Sequence, residues 1–468
     1  MQCFTIGFGA IIGTGWLIVL GSWLDQAGPM GAILAFAAGG LLMMSVGLCY
    51  AEMATMIPAS GGEVAYAYEV FGVGTSFAAG WVLALVYISM TAFEGISAAW
   101  LIGALVPGSE GPVLYTILGA PVRLSTLLIG IGGTAGLAYL NYRGIQFAAG
   151  FQDLFTWALI VLSLVFFAAG MMLGHTANLE PLFRESVERP WWSGVLSIFV
   201  TTAFWYTGFN MIPQAMEEVA PGTSARKVAW AMLLSIATAI AFYCLVILSS
   251  ALASPWQDLL KQDLPVAAAF RAALGSSVLA KVVLLSALFG IVTTWNPLIL
   301  SGSRILFALG RARVIDPRFG TIHPRFGTPS TAVVFASVLA CIGVLLGRSA
   351  ILPIVNVGAI AMAMAFAITC FGVARLRRTS PERPRPYRAP GGMGTALIGA
   401  LSSVFMVVFA IYQPYADAKG RFPTEWAVVI GWALLGALFW VFARGVRGRL
   451  DERERRALIV GTSEGVET

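Results

Sequence analysis

Apolar residues run along this chain in stretches far too long and too numerous for the core of a soluble protein. Twelve can be traced, roughly at 4–21, 30–56, 76–106, 124–142, 149–174, 195–219, 228–253, 276–303, 329–347, 350–374, 394–413 and 425–443. Each reaches the ~18 residues that a helix needs to cross a bilayer. None shows the strict apolar–polar alternation of a barrel strand. The pattern therefore predicts an all-α integral membrane protein of twelve transmembrane helices joined by short polar loops. The first span has no basic lead and is followed directly by another, so a membrane helix is expected there in place of a cleavable signal peptide. It also begins so near Met1 that a shortened start is one reading of it.

Composition agrees with this picture and adds an orientation. The 468 residues are 58% hydrophobic and 11% charged, and the mean hydropathy is +0.82. With the N-terminus in the cytoplasm, roughly two thirds of the 29 Lys and Arg residues fall on the cytoplasmic side. They gather between Arg304 and Arg325, between Arg375 and Arg388, and after Arg444. Both termini are thus expected to be cytoplasmic, in the cell membrane. The net charge of +6 is this topology signal with some attraction to anionic lipid, and its dispersal among short loops argues against nucleic acid. Five cysteines without paired spacing and two histidines in opposite loops suggest neither a disulfide framework nor a metal site.

Two spans are written badly for uninterrupted helices. Gly7-Phe-Gly-Ala-Ile-Ile-Gly-Thr-Gly-Trp16 places four glycines inside the first, each costing roughly 0.5–1 kcal/mol relative to alanine. The sixth carries Gly208 and Pro213 within Phe204–Glu218, and both oppose a regular helix. At membrane depth a break must be buried in protein or line a cavity, because lipid cannot satisfy freed backbone groups. Breaks at matching places five spans apart point to an inverted repeat with a binding site at the midplane. Half-helix amino ends offer amides to an anion and carboxyl ends offer carbonyls to a cation.

Glu94 stands well inside the third span, where a carboxylate normally faces the bundle interior or water. It reads as a proton carrier, as a partner for a cationic group, or as a protonated packing residue. Glu52, at the inner end of the second span, suits a structural role, accepting backbone amides or pairing across the inner gate, or else contact with substrate. Arg375–Pro390 reads as a solvated connector. The alternately charged tail from Gly448 to Arg456, and the polar end after it, reads as disordered.

Four segments in order resemble the amino acid–polyamine–organocation superfamily of secondary transporters, in its amino acid permease branch. They are Gly9-Ala-Ile-Ile-Gly-Thr-Gly15, Tyr50-Ala-Glu-Met with Pro58, Gly61-Gly62-Glu63 and Tyr66, then Gly208-Phe209 with Glu217-Glu218, and Leu300 to Leu309 with Asp316-Pro317 and Pro329. The resemblance implies a five-plus-five inverted repeat: a core over 4–375, with halves about 4–174 and 195–375 and broken helices 1 and 6. Two appended helices over 394–443 and a tail over 444–468 complete it. It further implies a substrate carboxylate on the amides of Gly13, Thr14 and Gly15, and an amine on carbonyls of Ile11, Phe204 and Thr207. Phe204 is the aromatic lid, and Trp295 shapes the side-chain pocket or simply packs between helices. Relatives that couple to protons often carry a fifth-span lysine where this chain has Leu159. Asn210 replaces a commonly acidic position, which weakens the case for a cationic amino acid.

The expected activity is secondary transport of an amino acid or related amine by alternating access. No cofactor is needed beyond a coupling ion: H⁺ through Glu94, or Na⁺ with Thr293 or Thr294. An uncoupled exchanger is the nearest alternative, and a substrate-sensing receptor on the same fold is an alternative of another class. No continuous polar pore or charged ring suggests a channel, and no nucleophile–base pair suggests an enzyme. The partners expected are the small-molecule substrate and the lipid bilayer, with oligomeric state left open.

Overall fold

The computed structural model describes residues 2–59, 61–117, 119–145, 149–185, 190–214, 224–275, 277–418 and 420–460. The chain begins with α1 (Gln2–Ile11), α2 (Gly15–Met56), α3 (Glu63–Phe71) and α4 (Val73–Leu105). A hairpin of β1 (Val113–Ile117) and β2 (Ala120–Arg123) leads to α5 (Leu124–Arg143) and α6 (Ala149–Leu173). Next come α7 (Trp191–Trp205), α8 (Met211–Gln214) and α9 (Ala225–Ala253), then two loop helices, α10 (Trp256–Leu259) and α11 (Pro265–Leu274). The remainder is α12 (Ser277–Arg311), α13 (Ser330–Val344), α14 (Ile351–Thr379), α15 (Gly392–Asp417), α16 (Thr424–Phe442), α17 (Arg444–Arg447) and α18 (Glu452–Val460).

Among the described residues nine helices are long and apolar enough to cross a membrane, and α7 and α13 are shorter apolar helices. The expected spans recur in order. The first is built from α1 and the start of α2, and the sixth from α7 and α8. Two spans are continuous within α2 because the chain turns at Gly28 without leaving helix for long. Gly28 has φ 71° and ψ 174°. It precedes Pro29, whose ring disfavours a helical residue before it, and its Cα lies where a side chain would meet the backbone of Arg184 at 2.7 Å. Only glycine suits that corner. The hairpin β1–β2 is antiparallel, with Val113 opposite Arg123, in a loop for which the hydrophobic pattern predicts nothing.

The packing places α2 against α7 and α9, and α12 against α4 and α6, with α1 reaching α6, α9 and α12. One continuous buried core runs through these helices. Its centre is aromatic: Trp23 lies edge-on to Trp205 at 5.2 Å, and Phe36 stacks on Tyr243 at 4.7 Å.

Two expectations about polar segments are corrected. The connector after α14 is not simply solvated, since Arg377 and Arg385 turn inward to a buried Glu52. Arg377 Nε donates to Glu52 Oε1 at 3.0 Å, Arg385 Nε lies 3.3 Å from the same oxygen, and the Ala389 amide donates to Oε2 at 2.9 Å. A carboxylate buried at a helix end attracts such donors because nothing else there can satisfy it. The structural role expected of Glu52 is borne out.

The tail is also ordered through α18. Arg455 is buried and donates to the carbonyls of Ala312 and Leu450, both at 3.3 Å. Arg456 pairs with Glu69 at 2.9 Å, and Arg383 reaches the same oxygen at 2.9 Å. Charge alternation misleads here because one face of a short helix finds carbonyls and a carboxylate waiting for it. Residues 461–468 and the Glu217-Glu218 pair lie outside the described residues. Burial alone would raise the Glu69 carboxyl, but the two guanidiniums outweigh it and hold it below its ordinary value. A depressed carboxylate contributes stability above its unfolded value and loses it as pH falls through its folded one. Hydrogen exchange over 452–460 is therefore expected to speed up below the ordinary carboxylate range. In Glu69→Gln the same speeding should appear at neutral pH; slow exchange in that variant would assign the docking to Arg455, the Tyr68 hydroxyl and buried Ile459. The exposed Arg456 limits the pair to about 0–1 kcal/mol.

Candidate substrate site at the helix breaks

Helix α1 ends at Ile11, residues 12–14 leave helical geometry, and α2 restarts at Gly15 with Thr14 as its cap residue. Helix α7 ends at Trp205, a turn spans 206–210, and the one-turn α8 follows with Pro213 inside it. Gly208 has φ 141°, and a Cβ there would stand 2.6 Å from the Ile11 amide nitrogen. Conformation and space both demand glycine, so the two breaks meet backbone to backbone. Gly290 of α12 closes on the same region, where a Cβ would lie 2.7 Å from the Gly13 carbonyl oxygen. Tyr243 of α9 ties the two carboxyl ends together. Its hydroxyl donates to Trp205 O at 3.0 Å and lies 3.5 Å from Ile11 O.

Glu94, projecting from α4, lies on the first break. Thr14 Oγ1 donates to its Oε2 at 2.9 Å, and Thr294 Oγ1, which also reaches Gly290 O at 2.8 Å, lies 3.0 Å from its Oε1. A Cβ on Gly13 would come within 2.2 Å of Oε1. The side chain is 3% exposed. Helices α1, α2, α4, α6 and α7 contain no basic residue, and those of α9 and α12 lie towards the helix ends. Thus Gly13, Thr14, Thr294 and Glu94 form one polar cluster on the amino end of α2.

The other expected residues distribute as follows. Gly15 is covered by Trp205, whose ring would meet a Cβ there at 2.1 Å. Phe204 packs edge-on against Phe93 at 5.9 Å and against Trp205 at 5.0 Å, and it leans on Gly358 of α14. Trp295 is buried over Gly95 and Gly133, with its indole N–H unpartnered. Thr207 Oγ1 donates to Ala203 O at 2.8 Å, and Thr293 Oγ1 to Gly290 O at 3.0 Å. Those two hydroxyls satisfy their own helices, as threonines in membrane helices commonly do. Leu159, at the lysine position, is fully buried.

Asn210 departs from the group. Its amide nitrogen donates to Glu63 Oε1 and to the Tyr87 hydroxyl, each at 2.9 Å. Gln214 donates to Glu63 Oε2 at 3.1 Å and to Tyr87 at 2.6 Å. This buried network joins the second break to α3 and α4 on the face that carries α18. Sequence reasoning quoted Glu63 within a motif but gave it no task. It passed over Trp205, the neighbour of Phe204, and nothing in the sequence marks Tyr243 or Tyr87.

A cavity of about 520 Å³ opens on the face opposite α18, lined by Ile96, Trp100, Glu110, Arg123, Asp263 and Arg348. Another, of about 260 Å³, opens on the α18 face past Ile6, Gln152, Met211 and Asn296. Glu94 lines neither. The breaks thus lie closed between two openings.

Such a site in a multi-pass membrane protein, together with the relatives that match the chain, defines a transporter of small molecules. The family model for amino acid permeases matches residues 1–441, and the chain belongs to that family. It is 25% identical to the branched-chain amino acid permease BcaP of Bacillus subtilis, covering 86% of this chain and 85% of that one. A methylthioribose transporter of the same organism is 26% identical over 82% of each chain. The human b(0,+)-type amino acid transporter 1 is 26% identical, covering 92% of this chain and 84% of that one.

Proposed function

We propose that this permease moves one amine-bearing small molecule, an amino acid or close relative, in exchange for a proton at Glu94. Alternating access about the breaks carries it across. The observation that carries the reading is the meeting of Gly208 with Ile11, closed between a cavity on either face. The residues proposed to line the cargo are Ile11, Gly13, Thr14, Gly15, Phe204, Thr207 and Trp295, with Trp205 added; Asn210 is reassigned to the network below them. The carbonyls of Ile11 and Trp205, the two that meet at the Tyr243 hydroxyl, would take the ammonium head in place of that of Phe204. Residues 4–174 and 195–375 would be the two inverted halves, 394–443 the appended pair and 444–468 the tail, in the cell membrane with both termini cytoplasmic.

A proton is the coupling ion proposed because the carboxyl on the first break, Glu94, is buried and held by the Thr14 hydroxyl. A carboxyl that alternates between this dry seat and an opened cavity changes its hydration, which is what a proton-exchanging group requires. The test is uptake into proteoliposomes of labelled amino acids and amines under imposed H⁺ or Na⁺ gradients. A pH gradient is expected to accelerate uptake in the native protein and not in Glu94→Gln. Stimulation by Na⁺ at constant pH would move coupling to Thr293 and Thr294.

A further inference from the structure

The amino end of α2 is the natural place for a substrate carboxylate, since its first amides lack helical partners and carry partial positive charge. In this chain that place is filled from within. Both oxygens of Glu94 are engaged there, one by Thr14 and the other by Thr294. Gly13 is bare so that the carboxylate can lie on the peptide itself, 2.2 Å from where a Cβ would be. A second carboxylate brought to the same amides would face the first in a site of low dielectric.

Everything else around the site favours a positive charge. The carboxyl ends of α1 and α7 converge on one hydroxyl, that of Tyr243, so two negative helix ends point at this spot. The walls are rings, with Phe93, Phe204 and Trp205 in mutual edge contact and Trp295 across α4 and α5. Ring faces attract ammonium groups when water is excluded. No basic side chain from α1, α2, α4, α6 or α7 competes for Glu94, because these helices have none.

We infer that Glu94 stands in the seat of a substrate carboxylate, and that the cargo is a primary monoamine with an apolar tail and no carboxylate of its own. The inference rests on the transport reading above and narrows its substrate class. The ammonium lies between Glu94 and the carbonyls of Ile11 and Trp205, and the tail extends among Phe204, Trp205 and Trp295. Among the described residues Glu94 is the one carboxylate in this cluster, so the second ammonium of a diamine would have rings but no counter-carboxylate. Glu63 is separated from the cluster by its own bonds to Asn210 and Gln214.

The test uses the full chain in proteoliposomes, with isoamylamine against leucine and 2-phenylethylamine against phenylalanine as matched pairs. The native protein is expected to prefer each amine over its amino acid by at least about tenfold in half-saturating concentration. Glu94→Gln should erase that preference by weakening the amine and admitting the amino acid. Glu94→Asp, which keeps the charge but withdraws it by a methylene, should retain part of it, and thermal melting in detergent reports folding for both. Leucine or phenylalanine carried as well as the amines would overturn the inference and leave the transport reading intact. Preference for a diamine such as putrescine would overturn the single-charge assignment. A folded protein that moves neither class would overturn both readings.

Discussion

Gly13→Ala is expected to abolish transport while leaving the protein folded. The new methyl would sit 2.2 Å from Glu94 Oε1, and the cheapest relief is for the flexible end of Glu94 to swing away. That movement breaks its bonds to Thr14 and Thr294. Overpacking costs about 1–3 kcal/mol, and each hydrogen bond unmade in a buried site adds about 1–3 kcal/mol. Together these come to about 3–9 kcal/mol, and the lower bound alone corresponds to about a hundredfold in binding. Gly132→Ala supplies the control: a Cβ there meets nothing within 4 Å, and alanine improves helix propensity by up to about 1 kcal/mol. Uptake in proteoliposomes and melting in detergent, measured on both variants, check the pair. Native-like uptake by Gly13→Ala would show that cargo does not use this cluster. Unfolding would show that Glu94 cannot move, so that the cluster is part of the core.

Removing Arg377 is expected to be the most destabilising single change on the α18 face. Its side chain is 7% exposed and that of Glu52 1%, so Arg377→Leu leaves a buried carboxylate with Arg385 at 3.3 Å and one amide as its main support. Breaking a buried pair from one side costs about 3–5 kcal/mol. Glu52→Leu combined with Arg377→Leu should recover part of the loss, because two apolar side chains are cheaper than one stranded charge. Melting temperature in detergent reads both. A shift in Arg377→Leu no larger than that of an exposed arginine, such as Arg378→Leu, would remove the cluster from the stability account and return 375–390 to a simple connector.

The sequence determined the class, the number of spans and the position of both breaks. Length of apolar run and glycine or proline at membrane depth are local properties, and the bilayer converts them directly into structure. It also singled out Glu94, and Thr293 or Thr294 without choosing between them, because a carboxylate and a hydroxyl in apolar helices must find partners. It could not show that these two partner each other with Thr14, nor that the carboxylate lies on the very amides expected to hold a substrate. That depends on how α4 and α12 stack against α1, which rests on bare glycines at Gly13 and Gly290 and leaves no periodic trace.

The tertiary structure alone decided several other assignments. It tied Asn210 to Glu63 and Tyr87, and laid Trp205 over Gly15. It drew Arg377, Arg385 and Arg455 inward from segments whose composition reads as solvated or disordered. Charge and polarity along a chain state what a residue needs. Where the need is met depends on partners hundreds of positions away, as with Arg377 and Glu52 or Arg456 and Glu69, and only the packed helices bring those partners together.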